Sequence, residues 1–254
     1  MIENLSVEFL PALTSPDELA GATVVVIDVL RATTVITRAL ALGAREVIPC
    51  LEVEEARQIA ARFPAGQALL GGEREGLKIP GFDLGNSPSE FTPENCAGRT
   101  FVFTTTNGTR AMNACHRAAR VLLGAFVNLS AVVAALPAEG PVHLLCSGTR
   151  GKITREDVLL AGAIVDRLSP AAAVDESALN DQARIALAAW REIAARDDGA
   201  GVSPKTLAAE LRHSQGGRNL KALRLEQDID DAAQIDLYGC VGELDVVGWR
   251  INKR

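Results

Sequence analysis

The sequence predicts an α/β fold in which a largely parallel sheet carries helices on both faces. Two observations point there. Between Thr23 and Leu168 short β-branched runs alternate with Ala-rich amphipathic stretches, the pattern that βαβ units leave in a sequence. The chain is also long enough, at 254 residues and 48% hydrophobic, to bury both faces of such a sheet. A single domain over 1–254 is the simplest organisation, with room for two lobes sharing a cleft. No internal repeat or low-complexity tract interrupts it.

Strands are expected at Thr23–Ile27, Glu46–Cys50, Arg99–Phe103, Arg120–Leu123 and Val142–Cys146, with a weaker one at Ala68–Leu70. Helical spacing of apolar residues follows most of them, over Arg31–Leu42, Val53–Arg62, Gly108–Ala118, Leu129–Ala135 and Glu156–Leu168. Glu176–Arg196 reads as one long Ala-rich helix, a face for homodimer packing, and Asp197–Gly201 breaks it. Ser203-Pro204 then supplies an N-cap and a first-turn proline for a helix through Leu211. Leu244–Ile251 is strand-like.

Composition removes several function classes. A formal net charge of −6 without a Lys/Arg block gives no footprint for nucleic acid. Apolar runs are far shorter than the roughly 20 residues of a membrane span, and the N-terminus does not read as a signal peptide, so a cytoplasmic location is expected. Five cysteines without CxxC spacing read as reduced, structural thiols. P-loop, GxGxxG, HExxH and cysteine-phosphatase motifs are missing, and His116, His143 and His213 stand apart from one another.

Three segments carry chemistry. In Asp28-Val29-Leu30-Arg31-Ala32-Thr33-Thr34 an apolar strand ends at an acid and opens a helix, the edge at which open α/β sheets bind ligands. The blander role for Asp28 is a helix cap. The stretch Gly71-Gly72-Glu73-Arg74-Glu75-Gly76, followed by Gly81–Pro88 with Asp83, Asn86 and Ser87, lacks regular periodicity and reads as a functional loop. Its acids are the hard oxygen ligands that Mg²⁺ takes. The third, Thr104–Arg110, gathers Thr105, Thr106, Asn107, Gly108 and Thr109 where a strand turns into a helix, a set of donors suited to a phosphate. Two weaker signals are Thr154–Asp157, where an acid for a metal site competes with a capping box and the capping box is preferred, and Ser214–Leu220, where Arg218 either closes over an acidic ligand or marks a turn between helices.

Taken together, VVIDVLRATT (25–34), GGEREG (71–76), GFDLGNSP (81–88), TTTNGTR (104–110) and residues 214–220 resemble the 2-phosphosulfolactate phosphatase (ComB) family over nearly the whole chain. The resemblance implies a three-layer α/β/α sandwich with a mostly parallel or mixed sheet. It also implies a Mg²⁺-dependent phosphatase that releases phosphate from 2-phospho-3-sulfolactate, a step toward coenzyme M or sulfolactate. Chemistry then suggests the roles. Asp28, Glu73 and Asp83 are candidate Mg²⁺ ligands, and Arg31, Asn107 and the turn from Thr105 to Thr109 face the phosphoryl group. Asn86 and Ser87 supply further contacts. Arg74 or Arg218 is expected to grip the sulfonate or carboxylate. Asp28 acting as a nucleophile is the competing mechanism. A metal-dependent lyase or isomerase for a similar phosphorylated hydroxy acid, and a non-catalytic anion sensor, are the competing functions.

Overall fold

The computed structural model describes residues 4–169, 179–197 and 201–254. Its strands are β1 (Asn4–Glu8), β2 (Thr23–Ile27), β3 (Glu46–Cys50), β4 (Ala68–Arg74), β5 (Leu77–Lys78), β6 (Thr100–Thr104), β7 (Arg120–Gly124), β8 (Pro141–Cys146), β9 (Gly242–Asp245) and β10 (Arg250–Lys253). They form one ten-stranded sheet in the order β1-β8-β2-β7-β9-β10-β3-β6-β4-β5. The helices are α1 (Ala32–Ala41), α2 (Val53–Ala60), α3 (Pro93–Cys96), α4 (Gly108–Ala114), α5 (Leu129–Ala135), α6 (Arg155–Leu168), α7 (Asp181–Ala194), α8 (Pro204–His213), α9 (Gln215–Ala222) and α10 (Gln227–Ala232).

Within the sheet, β1, β8, β2 and β7 form one parallel block, and β3, β6 and β4 form another. The C-terminal hairpin β9–β10 joins them, antiparallel to β7 on one side and to β3 on the other. Each of these three junctions reverses direction, so the two blocks run in opposite senses. In a flat sheet their C-terminal ends would lie on opposite edges.

Packing resolves this. Alternate residues of a strand face opposite sides, and one set from both blocks feeds a shared core. Val24 and Val26 of β2, Val121 and Leu123 of β7, Val47 of β3, Phe101 and Phe103 of β6 and Ile251 of β10 pack with Val35, Ile36 and Leu40 of α1 and Met112 of α4. The other faces are covered separately. Val25, Ile27, Leu122 and Leu144 pack under α5 to α10, whereas Ile48 and Val102 pack with Ala56 of α2. The sheet therefore carries α1 and α4 on one face and α2 and α5 to α10 on the other, which is the three-layer sandwich expected.

Several elements depart from the sequence reading. β1 was not foreseen; it is a short edge strand whose pairing with β8 supplies its order. The segment 71–76 is not a loop but the end of β4 and a tight turn at Glu75-Gly76, with Glu73 paired to Lys78 and Arg74 to Leu77. Leu244–Ile251 is two strands rather than one. The long helix begins only at Asp181, because the Asn180 side chain caps it by accepting from Ala183 N at 2.9 Å. Residues 176–178 of the expected helix, and 198–200 of the break after it, lie outside the described residues. The apolar face of α7, including Ala186 and Trp190, is buried within the chain, with Trp190 stacked on Phe126, so that face is not free for a second copy.

Ile251 pairs with Leu244 of β9 and Val47 of β3 and is fully buried. Ile251→Ala is expected to cost about 2–5 kcal/mol and lower Tm by roughly 5–15 °C. Val247→Ala, at a site 93% exposed between β9 and β10, should stay within about 0.5 kcal/mol. Thermal unfolding of both variants measures this; equal shifts would deny the hairpin its role as the joint between the blocks.

Candidate active site

The C-terminal ends of β2 and β6 meet, and the helices they open, α1 and α4, touch at their first turns. The contact is close enough to dictate sequence. A Cβ on Gly108 would lie 2.7 Å from the Cβ of Ala32 and 2.8 Å from Oδ2 of Asp28. Beside this contact lies a cavity of about 240 Å³, lined in part by Asp28, Arg31, Glu73, Asn86 and 105–107.

Asp28 is buried at the end of β2. Its Oδ1 accepts from Ala32 N at 3.2 Å, so the capping role read from the sequence is real, while Oδ2 makes no hydrogen bond among the described residues. Burial pushes its carboxyl up to about 7; Glu73 and Glu156 push the same way, against the Ala32 N–H and Arg31. Glu73 is equally buried and holds two backbone donors, Thr106 N at 2.8 Å on Oε1 and Gly76 N at 2.7 Å on Oε2. It thereby ties the tip of the β4–β5 hairpin to the turn after β6.

Arg31 is not a surface residue. Its guanidinium donates to Asp228 Oδ2 at 2.6 Å and to the Gly76 carbonyl at 2.8 Å, and both members of the ion pair are almost fully buried. Asp228 in turn accepts from the Ser87 hydroxyl. Burial raises the Asp228 carboxyl, against the Ser87 and Arg31 hydrogen bonds that lower it. Ser87 therefore acts through Asp228 on Arg31 and does not itself line the cavity. Asn86 does, and its Oδ1 is a buried acceptor with no partner among the described residues; Thr106 Oγ1 is in the same condition. Asn107 lines the wall and accepts from Arg150 N at 3.0 Å. Thr105 and Thr109 are buried against each other, Thr109 Oγ1 donating to the Thr105 carbonyl at 2.7 Å.

Three expected residues stand outside. Arg74 donates to the Leu51 carbonyl and the Thr104 hydroxyl. As the strand neighbour of Glu73 it points to the other side of β4. Asp83 is exposed and caps Leu70 N at 2.8 Å. Arg218 is exposed and donates to Gln215 and the His213 carbonyl. None of the three is among the residues lining the cavity.

The structure also adds residues. Glu156 and Asp157 are nearly inaccessible, and no capping box forms at Thr154. Asp157 instead accepts from Val29 N, Gly148 N and the Thr154 hydroxyl, while Glu156 accepts from Gly216 N at 3.0 Å. Burial raises both carboxyls, and Asp28 and Glu156 raise Asp157 further. Glu156 lies three and four positions before Leu159 and Leu160, so on a helix it falls on their apolar face. That was the available signal. Asp228, beside Ile229 on the apolar face of α10, gives a similar one. Thr149 and Arg150, from the loop between β8 and α6, complete the rim with Gly216 and Asn219. Among the described residues no group of three or more His, Cys, Asp and Glu is placed to hold a metal ion alone.

Residues 9–246 match the sequence model of a family described as 2-phosphosulpholactate phosphatase. A protein of Symbiobacterium thermophilum, named a probable 2-phosphosulfolactate phosphatase, is 43% identical over 220 residues, 86% of this chain and 89% of that relative. One of Thermotoga petrophila with the same name is 38% identical over 238 residues, 94% and 95% of the two chains. A third, from Caldanaerobacter subterraneus subsp. tengcongensis, is 49% identical over 152 residues, covering 59% of this chain and 63% of the relative.

Asp28 sets a pH dependence of stability. Its folded pKa of about 7 lies above the ordinary carboxyl value, so the folded state holds the proton more tightly. Stability is then lost as pH rises from about 4 to 7. Asn cannot ionise and keeps an oxygen for Ala32 N. With chelator present, Asp28→Asn should raise Tm by several degrees at pH 8 and hardly at all at pH 4. An equal shift at both pH values, read by calorimetry, would show that the carboxyl is not held neutral.

Proposed function

The chain belongs to the 2-phosphosulfolactate phosphatase family, and from that premise we propose that it hydrolyses 2-phospho-3-sulfolactate to 3-sulfolactate and phosphate. One observation carries the reading. Three separate segments, ending β2, β4 and β6, bring Asp28, Arg31, Glu73 and Thr106 to a single cavity of metabolite size. All five cysteines are free and buried, as a reducing compartment keeps them, and we place the reaction in the cytoplasm.

Mg²⁺ is the proposed cofactor. It is commonly held by one or two carboxylates together with substrate phosphates, and Asp28 and Glu73 would hold it here; the exposed Asp83 would not. When bound, it offsets negative charge on the phosphoryl group in the transition state. Charge balance supports the requirement. The cavity is lined by Asp28, Glu73 and Glu75 against Arg31 and Arg150, and Arg31 is already paired with Asp228. A multiply charged anion entering such a space needs a compensating cation.

The residues of the chain do the rest. Arg31, fixed by Asp228 and the Gly76 carbonyl, keeps further N–H donors for the phosphoryl oxygens. The Thr106 hydroxyl and the Asn86 side chain are polar groups awaiting a partner in the same wall. Water attacks phosphorus and gives up a proton as it does so. The P–O ester bond breaks, and that proton reaches the leaving alkoxide.

A second reading makes Asp28 the nucleophile. It is favoured by the asymmetry of the carboxyl, one oxygen anchored to Ala32 N and the other unbonded. Single-turnover hydrolysis in ¹⁸O-water separates the two, since only covalent attack leaves label in the Asp28 carboxylate.

The test is a phosphate-release assay on 2-phospho-3-sulfolactate with and without Mg²⁺. Release should need the cation, and Asp28→Asn should lower kcat at least about 100-fold. Arg31→Lys, which keeps the charge facing Asp228 and loses the planar fork, should lower it at least about tenfold. Phosphate release that survives chelation would remove the cation, and near-normal turnover by both variants would remove the site. Isomerisation or elimination without free phosphate would favour the lyase or isomerase alternative.

A further inference from the structure

The cavity lacks the two arginines that the sequence offered for the second acidic group of the ligand. Arg74 and Arg218 are bound elsewhere, and Arg31, held by Asp228 and Gly76, has its remaining donors committed to the phosphoryl group. Among the described residues that line the cavity, one guanidinium remains. Arg150 lines the cavity from the loop between β8 and α6, is exposed, and makes no side-chain hydrogen bond or ion pair among the described residues.

Its placement is built rather than incidental. Thr149 and Lys152 exchange backbone hydrogen bonds at 2.9 and 3.0 Å, closing a two-residue turn with Arg150 and Gly151 at its tip. Both tip residues have positive φ, +53° for Arg150 and +71° for Gly151. A side chain in that region is disfavoured, by about 1–3 kcal/mol in surveyed cases, and persists where its surroundings impose it. Here the imposing contact is the Asn107 side chain, which accepts from Arg150 N and so fastens the turn to the start of α4. Gly or Asn would occupy the position with less strain, and neither carries a charge.

We propose that Arg150 is the specificity residue that grips an acidic group of the substrate other than the phosphoryl, its sulfonate or its carboxylate. Asn107 is then a positioning residue, setting the backbone from which the guanidinium reaches across the mouth. The chemistry fits the group. A guanidinium presents paired N–H donors to adjacent oxygens, and charged hydrogen bonds of this kind contribute enough to discriminate about 10- to 100-fold. The proposal rests on the phosphatase reading for the identity of the ligand.

The test compares wild type, Arg150→Gly and Arg150→Lys on three esters: 2-phospho-3-sulfolactate, 2-phospholactate and phenyl phosphate. It also measures direct binding of 3-sulfolactate by calorimetry. Arg150→Gly suits the backbone and removes the charge, so loss of fold does not confuse the result. It should lower the kcat/KM ratio of phosphosulfolactate to phenyl phosphate about 10- to 100-fold, chiefly through KM, with Arg150→Lys recovering part of it. A parallel loss on phospholactate identifies the carboxylate as the group held, and none identifies the sulfonate.

An unchanged ratio overturns the inference while leaving the phosphatase reading intact. Absence of phosphosulfolactate turnover in the wild type, with 3-sulfolactate binding that Arg150→Gly abolishes, overturns the phosphatase reading and leaves the inference standing. If the wild type shows neither turnover nor binding, both fall.

Discussion

The first turns of α1 and α4 share one cavity because residue 108 has no side chain. With Ala32 Cβ and Asp28 Oδ2 both within 2.8 Å of where a Cβ would stand, any other residue would drive the helices apart, below ordinary van der Waals separation. The separation would propagate. α1 and α4 share one core with both strand blocks, so the relative position of the β2 and β6 ends depends on that contact. The oppositely running blocks need a joint, supplied by β9–β10, and an inner core, supplied by these helices. A small-residue contact at the site and a large apolar core beneath it are parts of one arrangement.

The same geometry explains the burial of so much charge. Asp28, Glu73, Glu156 and Asp157 are each less than a tenth exposed, which a folded protein tolerates only when hydrogen bonds or neutralisation offset desolvation. Glu73 and Asp157 meet that demand with backbone N–H donors from other segments, so each acid also works as a clasp. Asp157 holds the strand end at Val29 to the loop at Gly148; Glu73 holds the hairpin tip to the turn at Thr106. Asp28 has only the Ala32 N–H, and burial leaves its carboxyl raised, as it does that of Asp157. In the cavity wall, Asn86 Oδ1 and Thr106 Oγ1 are left without partners among the described residues. Stability is withheld where a ligand would be received.

Much of this was legible in the sequence, and the limits have physical causes. Parallel strands buried on both faces announce themselves as β-branched runs, so β2, β3, β6, β7 and β8 were placed within a residue or so. Asp28, Arg31 and 105–107 were found because a strand end that opens a helix is a local pattern. Glu73 and Arg74 could both face the ligand only from a loop; on the strand they occupy, neighbours diverge. Asp83 looked like a ligand by composition alone and proved to be a turn residue. Asp228 and Arg150 had no local mark that named a role. Asp228 matters through an ion pair across the fold to Arg31, and Arg150 through a hydrogen bond to Asn107, 43 positions away in sequence.

These two arginines illustrate a division of labour that sequence reading merges. Arg31 is held at two points and almost fully buried, so its charge is fixed before any ligand arrives. A group fixed in this way does not have to reorganise as charge develops, which is where electrostatic stabilisation of a transition state is greatest. Arg150 is fixed at its backbone and free at its guanidinium, so it can follow a ligand group whose position does not change during reaction. Binding energy of that kind acts equally on ground and transition states and governs which molecule is retained rather than how fast it reacts. Rigidity at one rim and freedom at the other therefore follow from what each charge has to face.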